Sequence, residues 1–177
     1  MSQPKIPEPA CLIVSMLSSL DDPVSLVRRD LEKEFGEIEQ EIGPMEFGYT
    51  NYYDKELGAG IFRFLLIFHD LIDRNKLWRV KLTTNELENR QMADNCRIFN
   101  LDPGILTLGN LVLATGKNNA HRIYLDKGIF ADLTLIFRRG SFRPLEWTYP
   151  DYSDPYMLEV FNNIRENYKC KLVGLSL

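Results

Sequence analysis

Lys117, His121 and Arg122 fall within six residues, and their types suit the chemistry of anions. An arginine fork matches a carboxylate or a phosphate, and a lysine adds a point charge. A histidine near neutral pKa serves as acid or base, so His121 is the candidate catalytic residue. Further on, Trp147-Thr148-Tyr149-Pro150-Asp151-Tyr152 supplies aromatic faces beside a carboxylate. Thr148, Tyr149, Asp151 and Tyr152 join Lys117 and Arg122 as candidate ligand-binding residues. Asp102, in Asn100-Leu101-Asp102-Pro103-Gly104, adds a second carboxylate at the far end of the apolar run 106–114. These groups point to a pocket for a small anionic ligand, phosphorylated or a nucleotide, that is bound or acted upon. The alternative is a non-catalytic interaction module that works through its sheet surface. In a purely structural reading Asp102 completes a turn, His121 and Arg122 pair with surface acids, and residues 147–152 clamp the last helix.

Other chemistries fail on particular residues. Thr115-Gly116-Lys117 resembles the end of a phosphate loop, but Leu111 stands where its first glycine belongs and Asn118 replaces the magnesium-binding hydroxyl. Gly58 and Gly60 lack the third glycine of a dinucleotide turn. No serine sits in a nucleophile elbow. One histidine with Asp102 and Asp151 would make an oxygen-rich cation site, but ordinary salt-bridged carboxylates are the simpler reading. No cofactor is indicated. The net charge of −4 runs against general nucleic-acid binding, which needs phosphate neutralisation. Cys11, Cys96 and Cys170 lie far apart, so they read as free thiols in a reducing compartment. No apolar run approaches the ~20 residues of a membrane span. The location expected is cytoplasmic. Oligomeric state leaves no mark.

These side chains must be held by one domain. The 177 residues suffice for a single core without staples. Residues 1–9 read as a flexible Pro-rich arm, and residues 10–177 as one α+β domain. The short apolar run 11–17 predicts a buried strand. Asp22 as N-cap, Pro23 at the first helical position and Val24, Val27, Leu31 and Phe35 at helical spacing predict a helix that Gly36 ends. Alternation of Met45, Phe47 and Tyr49 predicts a strand, and residues 61–68, interrupted only by Arg63, a central one. Thr83 followed by Glu86 matches a capping box, so a helix is expected from residue 83 to about 93. Asp102-Pro103-Gly104 carries Pro then Gly at the centre of a type II turn. Residues 105–114 then read as one strand, or as a short helix.

A meander follows, turning at Asp126-Lys127-Gly128 and again at Arg139-Gly140-Ser141. Ser153 or Asp154 caps a last helix, and the apolar tail 171–177 suggests an added strand. The fold class is a ferredoxin-like split βαβ core with a mixed or antiparallel sheet, a C-terminal meander and a terminal helix, with helices on one face. If residues 105–114 form one straight strand, Asp102 and His121 stand ~33 Å apart. They share a site only if the chain bends back, and Gly109-Asn110 is where a break would fall.

Across these elements the chain resembles a bacterial and archaeal domain family of unknown function, numbered 4416. The residues that carry the resemblance are Thr50 with Tyr52-Tyr53 and Lys81 with Thr84-Asn85-Glu86-Leu87-Glu88. Asn100-Leu101-Asp102-Pro103-Gly104, Lys117 with His121-Arg122-Ile123, Gly128 and residues 147–152 complete it. The family pattern has an aromatic residue after the Pro-Gly pair where this chain has Ile105, which weakens a stacking role there. The resemblance implies a cytoplasmic prokaryotic protein and brings no reaction, cofactor or catalytic residue.

Overall fold

The structure, a computed structural model, describes residues 3–93 and 96–175. The chain forms an α+β domain around an eight-stranded sheet. Strand β1 (Ala10–Ser18) leads to helix α1 (Pro23–Phe35), β2 (Ile38–Glu46), the short α2 (Asp54–Leu57) and β3 (Phe62–Ile72). Helix α3 (Leu77–Arg90) and a small hairpin, β4 (Met92–Ala93) and β5 (Cys96–Arg97), come next. Then follow β6 (Asn100–Leu106), β7 (Asn110–Thr115), β8 (Arg122–Asp126), β9 (Ile129–Arg138), β10 (Ser141–Pro144), α4 (Pro150–Ser153) and α5 (Pro155–Leu175). The sheet order is β10-β9-β7-β6-β1-β3-β2, each pair antiparallel. β8 and β10 pair with opposite halves of β9 and so share its outer side.

Local signals explain several elements directly. Asp22 accepts a hydrogen bond from the Ser25 amide and Pro23 opens α1, while Gly36 closes it at φ 89°. Lys127-Gly128 and Arg139-Gly140 all take positive φ, the requirement of tight two-residue hairpin turns. β1 is buried along its whole length because the sheet is covered on both faces. Leu12, Val14 and Met16 pack with Val24, Val27 and Leu31 of α1 and Val80 and Leu87 of α3. Cys11 and Ile13 face the other way, into Phe161, Ile164 and Tyr168 of α5. Helices on one face only is therefore corrected: α5 brings a second apolar stripe, and that stripe needs the opposite face.

The same burial pushes the Cys11 thiol up to about 12, whereas Cys96 and Cys170 are exposed. A thiol reagent at pH 8 is expected to modify two cysteines in the native protein and all three after unfolding, because the thiolate is the reactive species.

Four expectations change with the structure. α3 starts at Leu77, on a 3-10 turn over Arg74–Lys76, so Thr83 lies inside the helix and caps nothing. The second strand is Ile38–Glu46, so of the Met45, Phe47, Tyr49 alternation only Met45 lies in it. The C-terminal segment continues α5 as helix through Leu175, with residues 176 and 177 outside the described part. Asp102-Pro103-Gly104 is no turn but the middle of β6. Among residues 3–9 no regular structure forms; Arg74 Nε donates to the Glu8 carbonyl and the Tyr168 hydroxyl to that of Pro9.

Candidate functional site

Pro103 and Gly104 act together on two strands. β6 pairs with β1 from Asn100 to Leu106, but with β7 only over Gly104–Leu106. A Cβ at Gly104 would come 2.9 Å from the Val112 carbonyl oxygen, so glycine lets the two strands pinch there. One residue earlier the pairing stops. By the alternation of the ladder, position 103 should donate its N–H to β7, and proline has none. Beyond it β7 follows β9, and the sheet forks.

The fork exposes the Leu101 peptide, which two side chains of α3 satisfy. Glu88 Oε1 accepts from the Leu101 amide at 2.5 Å, and Lys81 Nζ donates to its carbonyl at 2.7 Å. Lys81 also reaches Asp102 Oδ1 at 3.1 Å, and Asn100 Nδ2 donates to Asp102 Oδ2 at 2.7 Å. Burial alone would raise the Asp102 pKa, but Lys81 and Asn100 hold the carboxyl below its ordinary value. Arg97 ties the wall to α2, donating to both Glu56 oxygens at 2.6 and 2.7 Å and to Glu88 at 2.7 Å. Its fork lowers the Glu56 pKa.

Between the arms of the fork lies a cleft of about 540 Å³, within the range usual for small-ligand pockets. The second wall comes from β7, β8 and β9. Arg122 donates from Nε to Asp132 at 2.8 Å, from Nη1 to the Lys117 carbonyl at 2.9 Å, and from Nη2 to the Tyr149 hydroxyl at 3.2 Å. At the back, Arg63 of β3 pairs with Asp151 of α4. Phe47, Tyr49, Thr50, Tyr52 and Tyr53, from the segment leading into α2, also line the cleft. Tyr49 donates to Asp154 at 2.9 Å, and the Tyr52 ring lies 4.8 Å from Lys117 Nζ.

Six of the eight residues singled out by sequence line this one cleft: Asp102, Lys117, Arg122, Tyr149, Asp151 and Tyr152. They meet because the chain does bend back. Thr107 closes a hairpin, its hydroxyl accepting from Gly109 and Asn110, so residues 105–114 are two strands instead of one. The other two candidates lie outside the lining. Thr148 repairs a bulge in β9. Leu111 and Val112 pair with Leu135 and Leu133, which leaves Thr134 unpaired, and the Thr148 hydroxyl donates to its carbonyl. Trp147 Nε1 does the same for Leu133 at 2.8 Å. His121 stacks on Trp147 at 5.1 Å, with Nε2 3.4 Å from Asp132.

The cation site fares no better. Asp102 is paired with Lys81, and Asp151 with Arg63. Among the described residues no three His, Cys, Asp or Glu side chains are placed to hold a metal ion. Sequence reasoning missed Arg63, Arg97 and Asp132. Arg63 carried a signal, because a lone charge in a central apolar strand must find a partner or a use.

Sequence comparison bears on the whole of this architecture. The chain matches the family described as Domain of unknown function (DUF4416) over residues 8–168. It belongs to that family. No curated protein and no solved structure matches it. Thr50, Tyr52, Tyr53, Lys81, Asn85, Asn100 and Asp102, all from segments that carry the resemblance, line the cleft of this DUF4416 domain. Among the described residues no helix is long and apolar enough to cross a membrane.

Proposed function

We propose that the cleft binds a small anionic ligand that carries a phosphate. The observation that supports this reading is charge. Five cationic side chains line the cleft, and four of them are paired: Arg63 with Asp151, Lys81 with Asp102, Arg122 with Asp132, and Arg97 with Glu56 and Glu88. The fifth, Lys117, lies 4.8 Å from the Tyr52 ring, and a concave site focuses its field. Among the described residues Lys117 pairs with no carboxylate, so it is the cation free to meet a ligand at the mouth. Tyr49, Tyr52, Tyr53, Tyr149 and Tyr152 give the walls flat faces and hydroxyls.

The interaction-module reading has less to work with. Helices cover the centre of the sheet on both faces, leaving the largely polar β2 edge and the β8 edge, where Ile123 and Tyr124 are exposed. We also read β1-α1-β2-β3-α3-β6 as a ferredoxin-like split βαβ core in a cytoplasmic protein. The order β6-β1-β3-β2, antiparallel throughout, supports the fold part of that reading.

Thermal-shift and calorimetric titration with inorganic phosphate and ribose 5-phosphate test the reading. A ligand that binds only the folded state raises Tm by mass action. Lys117→Ala is expected to weaken such a ligand about tenfold, roughly 1.4 kcal/mol. Absence of any shift with phosphate compounds at millimolar concentration would overturn the proposal.

A further inference from the structure

Most cationic donors in the cleft are already committed. Arg122 spends its nitrogens on Asp132, Lys117 and Tyr149, and Arg97 spends its own on Glu56, Glu88 and Asn100. Arg63 does not. It is 4 % exposed and lines the cleft, yet only Nη2 is bonded, to Asp151. Its Nε and Nη1 are buried without an acceptor. Buried N–H groups are nearly always paired, so these two point to a missing partner. Asp151 already balances the charge of Arg63. What the nitrogens lack is therefore a neutral acceptor, not a second anion. The Tyr152 ring, 4.7 Å from Arg63 Cζ, favours a flat one. Asp102 lines the same cleft and keeps about a third of its side chain exposed, so it can accept further hydrogen bonds from a ligand.

Building on the phosphate reading above, we propose that the ligand is a guanine nucleotide. Guanine presents O6 and N7 to the Nη1–Nη2 end of Arg63, where Nη1 is free and Nη2 carries a second hydrogen beside the one given to Asp151, a pairing that arginine makes readily. Its N1–H and 2-amino group donate to Asp102, and its phosphate lies by Lys117. Adenine fails on both sides: it sets an amine against the donors of Arg63 and offers Asp102 no N1–H. The base reaches Arg63 as Phe47 turns aside from the guanidinium it shields.

Calorimetric titration of the full chain with GMP, AMP and ribose 5-phosphate tests this. GMP is expected to bind at least about tenfold more tightly than either of the others, because an unpaired buried polar group penalises the wrong ligand. In Asp102→Asn the preference for GMP over AMP is expected to fall below about threefold. IMP, which lacks the 2-amino group, probes the same contact in the wild-type chain and is expected to bind about tenfold more weakly than GMP. Equal affinity for GMP and AMP, or for GMP and ribose 5-phosphate, overturns the guanine assignment and leaves the phosphate reading intact. IMP binding as tightly as GMP overturns the Asp102 contact. Failure of all three phosphates to bind overturns both readings.

Discussion

Glu88→Ala is expected to destabilise the domain by about 3–5 kcal/mol, the range for breaking a buried charged pair. The side chain is 4 % exposed and serves two partners. One carboxylate oxygen satisfies the Leu101 amide, which the fork in the sheet leaves without a strand partner. The other holds Arg97. Alanine would leave a buried N–H and a half-buried guanidinium short of an acceptor, and each loss costs a desolvation penalty. Glu88→Gln keeps an acceptor for Leu101 and loses only the charge opposite Arg97, so it should cost about half as much. Urea unfolding checks this: the midpoint should fall while the m-value holds.

The second large effect concerns Arg63 and Asp151. Their side chains are 5 % and 10 % exposed. Asp151→Leu is expected to cost about 3–5 kcal/mol, because it strands a buried positive charge between rings with no counter-ion. Arg63→Met should cost a similar amount by stranding the carboxylate. The double variant is expected to recover much of the loss, because two apolar groups of similar volume replace a pair whose desolvation was costly. Double-mutant-cycle analysis of the unfolding free energies measures the coupling. Simple additivity of the two single losses would contradict the pairing.

Much of this architecture was legible because local chemistry dictated it. α1 carries its cap, its stripe and its stop within residues 22–36. The two glycine hairpins need positive φ, and their residues say so. Where reading failed, one residue type served two masters. Pro-Gly is strong turn chemistry, but at 103 and 104 the missing N–H and the missing Cβ answer a neighbouring strand, and pairing at a distance cannot be read locally. Thr83 and Glu86 imitate a helix start inside α3, because the true start at Leu77 has no side-chain cap. The candidate site was half legible. Asp102, Lys117 and the 149–152 turn stood out by type. Arg63 stood out as an exception in an apolar run, but its partner lies 88 residues away, and no spacing rule links them.

The fork at Pro103 has one more consequence. It makes the depth of the cleft a property of the backbone. A zipper stopped by a missing tooth opens to the same point whatever cloth hangs on either side. The lining side chains come from several separate segments, so single changes among them can retune what is held there without shifting where the opening begins. Shape and selectivity are thereby inherited separately, the first from one imino acid and the second from many exchangeable neighbours.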